Sequence, residues 1–200
     1  MNLANKITVS RIIITFIILS ILLFPFESAG VDFTNLFINE LIVVNAKYLI
    51  VGVLFVIAVI TDYLDGYVAR KKDMKTDLGR TLDDIADKLL IDLILIVLAS
   101  QGFVHPVIPV IIIARDFVVN AIRMTAREKG IELKYVKMTK AKNIIIKLGI
   151  TLTLFYNLPF ELFNINISDM LLIVGTVLAV ISCIQYYNDN KKKIKKIVSA

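Results

Sequence analysis

Six apolar stretches of about membrane-spanning length restrict the fold of this chain more than any other feature. They cover residues 7–26, 46–66, 82–100, 106–124, 143–160 and 169–187, some with polar residues at one end. A helix needs about 20 mainly apolar residues to cross a bilayer. Because 58% of the 200 residues are apolar, a soluble domain of this size could not bury them all. The sequence therefore predicts an all-α polytopic membrane protein, a six-transmembrane-helix bundle that forms a single domain over residues 1–200.

The distribution of basic residues predicts how this bundle lies in the membrane. Lys and Arg concentrate near the N-terminus, in the 67–81 and 125–142 loops and in the C-terminal tail, whereas the opposite loops hold only Lys47. Because such residues stay on the cytoplasmic side, both termini are expected in the cytoplasm. The first stretch is long for a secretory signal, so we expect a retained helix. The net charge of +6 then reflects topology and attraction for anionic lipid, and no nucleic acid partner is expected.

Four aspartates stand at adjoining ends of the second and third stretches, where charged side chains are costly. Asp62 and Asp65 are three residues apart and Asp83 and Asp87 are four apart, so each pair lies on one face of a helix. The short loop between the helices brings all four to one depth. Clustered carboxylates need neutralisation, and oxygen ligands favour Mg²⁺, Mn²⁺ or Ca²⁺. The alternative is a solvated hairpin in which these acids pair with neighbouring Lys and Arg.

Residues 62–87 read D-x2-D-G-x2-A-R-x8-G-x3-D-x3-D, which resembles the signature of the CDP-alcohol phosphatidyltransferases. Members of that family are six-helix membrane proteins, commonly homodimers. The resemblance implies that Asp62, Asp65 and Asp83 bind a divalent metal, Mg²⁺ or Mn²⁺. It implies that Asp87 is the general base and also contacts a metal. The residues that it assigns to nucleotide binding within the motif are Asp65, Gly66, Ala69, Arg70 and Gly79.

Three further segments resemble one branch of the family, the bacterial phosphatidylglycerophosphate synthases. The start NLANKITVSR is similar to their N-x-x-N-x-[IL]-T-x-x-R, which adds Asn5 and Thr8 to the predicted nucleotide site. ARDF and TKAKN resemble A-R-E-F and G-K-x-K-T. The chain departs from these last two patterns at Asp116, Thr139 and Asn143.

Basic residues on the fourth and fifth stretches indicate the acceptor alcohol. Arg115 lies in an apolar run, where an arginine needs an anionic ligand or a partner side chain. Asp116 is the competing candidate for the partner of Arg115. The residues predicted to bind the acceptor phosphate are Arg115, Arg123, Lys140 and Lys142. The predicted reaction transfers the phosphatidyl group of CDP-diacylglycerol to glycerol 3-phosphate and releases CMP, a step of phospholipid biosynthesis. Two alternatives stay open: another acceptor such as inositol phosphate, and a cation transporter that binds its ion through the aspartates.

Overall fold

A computed structural model describes residues 3–26, 28, 30, 33–38, 42–71, 77–131, 133 and 138–198. Nearly all of these residues belong to six α-helices: α1 (Leu3–Leu23), α2 (Ala46–Lys71), α3 (Asp77–Ser100), α4 (Val107–Glu128), α5 (Met138–Leu154) and α6 (Ile167–Val198). The predicted helical fold is confirmed, with one helix for each apolar stretch. A 3-10 turn, Phe160–Phe163, lies between α5 and α6.

A short antiparallel hairpin was not expected from the apolar stretches. Its strands, β1 (Asn35–Ile38) and β2 (Ile42–Asn45), precede α2, with Leu36 opposite Val44. These segments are rich in Val and Ile, whose branched side chains suit strands, and four residues per strand are too few to cross a bilayer. The fold is therefore helical with one added hairpin.

Helix boundaries differ from the predicted stretches by several residues, and the C-terminal ends of the fifth and sixth helices differ most. The fifth helix covers Met138–Leu154 and not 143–160; soon after it, Tyr156 and Asn157 adopt positive φ, which an α-helix cannot include. The sixth continues to Val198, well past position 187. Lys, Asn and Ile in the tail are compatible with helix. Apolar length indicates where a helix can enter a bilayer, whereas backbone propensity decides where it ends.

The helices pack as two groups of three that meet along a seam. In the first group, α1 packs on α2 and α3; in the second, α6 packs on α5 and α4. Contacts of α2 and α3 with α5, and of α3 with α4, join the groups. The helices α5 and α6 approach closely at two glycines: a Cβ at Gly149 would lie 2.8 Å from Leu172 Cδ2, and one at Gly175 would lie 2.7 Å from Ile146 Cγ1. Side chains at these positions would push the helices apart.

The outward faces of the helices are apolar. Large hydrophobic side chains are exposed on all six helices, among them Phe16, Ile57, Ile96, Val110, Leu148 and Val177. Among the described residues, two segments, Ala46–Tyr63 and Ile167–Lys191, are long and apolar enough to cross a membrane. Only 22% and 33% of these segments is buried in the bundle, so neither is the covered core helix of a soluble protein. The apolar surface indicates association with a membrane.

Candidate active site

Three aspartates from α2 and α3, which we call the acidic cluster, converge on two basic side chains. Arg11 Nη1, on α1, lies 2.7 Å from Asp62 Oδ1 and 3.1 Å from Asp83 Oδ1. Lys147 Nζ, on α5, lies 2.6 Å from Asp62 Oδ2 and 2.5 Å from Asp87 Oδ1. The acidic cluster, Asp62, Asp83 and Asp87, is thereby connected to both groups of helices.

Burial strengthens the electrostatic interactions between the acidic cluster and its two basic partners. The side chain of Arg11 is 0% exposed and that of Lys147 is 11% exposed, so their interactions with the acids are weakly screened by water. The side chain of Asp83 is 48% exposed, which opens one side of the cluster to solvent. Three carboxylates and two basic groups leave a negative charge among these five side chains. The cluster can therefore attract a cation from the solvent side.

The structure brings together three of the four aspartates predicted to bind metal. Among the described residues, the observed partners are Arg11 and Lys147; the side chains of the loop cations of the alternative hairpin lie outside the described residues. The side chain of Asp65 lies outside the described residues. Within the described part of the chain, no group of three metal-ligating side chains is close enough to hold an ion.

The predicted nucleotide-binding residues lie beside the same cluster along the chain. Thr8 is buried on α1, one turn before Arg11, and Gly79 belongs to the first turn of α3. The other predicted positions are in α1 and α2, but their side chains lie outside the described residues: Asn5, Asp65, Gly66, Ala69 and Arg70. Their predicted roles stay predictions.

A polar cavity of about 120 Å³ lies between α3, α4 and α5, and Asp87 is one of its lining residues. This space is large enough for several water molecules, which suits a small polar ligand. The charged lining consists of Asp84, Asp87, Asp92 and Asp116 with Lys88, Arg115, Arg123 and Lys142. The lining therefore holds four acidic and four basic side chains.

The structure places Lys140 outside this cavity. Lys142 is almost fully buried and lines the cavity, whereas Lys140 is exposed and does not line it. Residues two apart on an α-helix point about 200° apart, so the two lysines cannot face one ligand together. Of the four residues predicted to bind the acceptor phosphate, Arg115, Arg123 and Lys142 line the cavity. The role of Lys140 stays a prediction that this cavity does not support.

Arg115 is held by groups from three helices. Its Nη1 donates to Asp116 Oδ1 at 2.7 Å, and its Nη2 donates to Thr139 Oγ1 at 3.2 Å and to Ser182 Oγ at 2.8 Å. Lys142 Nζ lies 2.9 Å from the second oxygen of Asp116. Asp116 therefore pairs with both buried cations, as the sequence had left open. An anionic ligand in the cavity would have to compete with this one carboxylate.

Four residues that contact the predicted site residues were not assigned to the site from the sequence, or were noted there only as departures from the family pattern. Lys147 contacts two of the predicted metal ligands, and Asn143 Nδ2 lies 3.3 Å from Asp87 Oδ2. Thr139 and Ser182 contact Arg115. Lys147 carried a usable signal, since it is a charge inside an apolar stretch just as Arg115 is. Ser182 carried none, because a small hydroxyl in an apolar helix has the same appearance in sequence as a packing residue.

Comparison with known proteins shows the family of the chain. The family model described as CDP-alcohol phosphatidyltransferase matches residues 1–182. The chain belongs to this family. The CDP-diacylglycerol–glycerol-3-phosphate 3-phosphatidyltransferase of Bacillus subtilis is 34% identical over 97% of both chains. A protein of the same name from Mycoplasma genitalium is 35% identical over 77% of this chain and 65% of its own length. One from Rickettsia typhi is 27% identical over 93% of this chain and 95% of its own length.

The matches confirm the predicted family and the predicted enzyme class. The matched residues include every residue of the acidic cluster and of the cavity lining. The chain is thus a CDP-alcohol phosphatidyltransferase, a transferase of phospholipid biosynthesis. The cation transporter that the sequence left open has no support from these matches.

Proposed function

We propose that this enzyme transfers the phosphatidyl group of CDP-diacylglycerol to glycerol 3-phosphate and releases CMP. The observation that carries the proposal is the polar cavity, which is lined by Asp87 and by the buried Arg115 and Lys142. A base and a site for phosphate therefore share one small space. The Bacillus subtilis relative, which bears the name of this reaction and aligns over 97% of both chains, supports the choice of acceptor.

The acidic cluster fits a divalent cation by the chemistry of its donors. Carboxylate oxygens are the ligands that Mg²⁺ and Mn²⁺ prefer, and the exposed side of Asp83 provides access. Asp62, Asp65, Asp83 and Asp87 would hold the ion. When bound, it would supply electrostatic stabilisation to the diphosphate and to the departing oxygen of CMP. The residues proposed to bind the nucleotide are Asn5, Thr8, Asp65, Gly66, Ala69, Arg70 and Gly79.

The chemical step assigns one role to Asp87. Its carboxylate accepts the proton of the acceptor hydroxyl, and the resulting oxygen attacks the phosphorus of the lipid in line. A new P–O bond to the acceptor forms while the P–O bond to CMP breaks. Asn143 donates to Asp87 Oδ2, which restrains the rotation of that carboxylate. No nucleophilic side chain is required.

The acceptor phosphate is proposed to replace Asp116 as the partner of the two buried cations. Arg115 and Lys142 both contact Asp116 at 2.7–2.9 Å. A phosphate monoester carries about −1.5 to −2 charges at neutral pH, so it competes well with one carboxylate. The fork of Arg115 can bind two phosphate oxygens, and Arg123, which also lines the cavity, adds a third cation.

The finer membrane arrangement is also a proposal. We infer six spans, both termini in the cytoplasm, a cytoplasmic active site in the cell membrane, one domain over residues 1–200 and a homodimer. The apolar outer faces of all six helices and the distribution of Lys and Arg support the topology; the family resemblance implies the dimer. Thiol labelling from each side of sealed vesicles, with single cysteines at exposed loop positions in a Cys183→Ser background, tests the topology.

The acceptor assay tests the proposed reaction. Purified protein in lipid nanodiscs is incubated with CDP-diacylglycerol, Mg²⁺ and one labelled acceptor at a time: glycerol 3-phosphate, inositol phosphate, inositol or serine. We expect labelled lipid and an equal amount of CMP only with glycerol 3-phosphate, and neither product in excess chelator. Turnover with inositol phosphate but not glycerol 3-phosphate would refute the proposed acceptor and keep the reaction class.

A further inference from the structure

Lys147 occupies the space between two aspartates that the proposed metal would need. Its ammonium lies 2.6 Å from Asp62 Oδ2 and 2.5 Å from Asp87 Oδ1. The lysine belongs to α5, in the second group of helices, whereas both acids belong to the first. A lysine inside an apolar stretch is costly unless it has a partner or a function. Here it contacts two acids at once.

Both oxygens of Asp62 are already in contact with cations. Arg11 contacts Oδ1 at 2.7 Å and Lys147 contacts Oδ2. A divalent ion bound through Asp62 must therefore displace one of the two or lie next to a like charge, which is unfavourable in a weakly screened site. Asp87 raises the same conflict, since the oxygen that faces Lys147 is one of the two that it could offer to metal.

Of the two cations, Lys147 is the one that can move. Arg11 is completely buried and joins α1 to acids on two other helices, and its planar group of five donors needs several acceptors placed together. Lys147 is slightly exposed and carries a compact ammonium on a flexible four-carbon stem. Rotation of that stem releases Asp62 and Asp87 without any movement of a helix.

We infer that Lys147 is a tethered cation that neutralises the acidic cluster in the metal-free protein and leaves Asp62 and Asp87 when a divalent metal binds. The inference rests on the metal site of the proposed function. It follows that metal binding is weakened by competition with the lysine. It also follows that, without metal, the lysine stabilises the folded bundle because the buried carboxylates are not left unpaired.

Direct metal binding tests the competition without any need for turnover. Wild-type protein and the Lys147→Met variant, which keeps the apolar stem and loses the charge, are titrated with Mn²⁺ in nanodiscs without substrate. Free Mn²⁺ is measured by electron paramagnetic resonance. We expect the variant to bind about 10- to 100-fold more tightly, the change that corresponds to loss of one competing charged contact. The thermal midpoint in chelator should be lower for the variant, and Mn²⁺ should raise it more than in the wild type.

Two control variants separate this role from other effects of charge. Lys191→Met removes a charge from an exposed position on α6 and should leave the Mn²⁺ affinity at the wild-type value. Lys147→Arg keeps the charge and should bind Mn²⁺ no more tightly than the wild type. If Lys147→Met folds only with Mn²⁺ present, metal replaces the lost charge and the inference is supported.

The outcomes distinguish this inference from the proposed function. If the wild type binds Mn²⁺ and Lys147→Met binds it equally or more weakly, the lysine is a fixed part of the site and the inference is overturned. The proposed function survives that result. If neither protein binds Mn²⁺, the metal site of the proposed function fails and the inference fails with it.

Discussion

Replacing Arg115 with alanine should weaken binding of the acceptor much more than binding of CDP-diacylglycerol. The side chain of Arg115 lines the polar cavity, and its Nη1 contacts Asp116. In our proposal the acceptor phosphate takes the place of that carboxylate. Arg115→Ala removes one of the donors that the phosphate needs and leaves Asp116 to Lys142 alone.

The size of the effect follows from the contacts that change. A hydrogen bond to a charged group contributes about 1.5–3 kcal/mol, which corresponds to roughly 10- to 150-fold in affinity. The phosphate gains its hydrogen bond from Arg115 only when the hydrogen bond from Arg115 to Asp116 is lost. We therefore expect KM for glycerol 3-phosphate to rise by about 10- to 100-fold in the variant. The bundle should keep its fold, because Ser182 retains its hydrogen bond to the Ala179 carbonyl at 2.9 Å. The thermal midpoint of the Arg115→Ala variant measures whether the fold is kept.

The assay follows CMP release while one substrate is varied and the other is saturating. KM for glycerol 3-phosphate should rise within the expected range, whereas KM for CDP-diacylglycerol should change less than about threefold. Arg127→Ala is the matched control, since Arg127 lies in the last turn of the same helix and is exposed; it should change neither KM. Equal effects of Arg115→Ala on both substrates would mean that Arg115 does not bind the acceptor, and our reasoning would be wrong.

Three further substitutions test other parts of the site and the fold. Asp87→Asn should lower kcat by about 10²- to 10⁴-fold with CDP-diacylglycerol binding retained in a filter assay; loss of both would make Asp87 chiefly a metal ligand. Ser182→Ala should raise KM for glycerol 3-phosphate by about 2- to 10-fold through Arg115, and Ser182→Thr should restore it; an unchanged KM in Ser182→Ala would contradict this. Gly149→Ala should destabilise the bundle by about 1–3 kcal/mol because the new Cβ would lie 2.8 Å from Leu172, and an unchanged midpoint in SDS-induced unfolding would oppose that expectation.

Local sequence patterns were sufficient to predict much of the fold and the reaction class. Apolar length predicted six helices because the bilayer requires it, and the described part of the chain contains six. The spacing within each pair of aspartates placed its members on one helix face, whereas the packing of both α2 and α3 on α1 was not predicted. The same residues carried the family signature. These are properties of segments shorter than about 30 residues, which a sequence displays directly.

Only the tertiary structure decided which groups neutralise the aspartates and which of the basic residues face the cavity. Arg11 and Lys147 come from α1 and α5, the latter 85 residues from Asp62 along the chain, and nothing in the spacing of either helix indicates that it packs there. The rotation of α5 turns Lys142 inward and Lys140 outward, and the packing of α6 brings Ser182 to Arg115. Sequence periodicity defines the faces of one helix, but which face meets which neighbour depends on close packing of the whole bundle, at contacts such as Gly149 with Leu172.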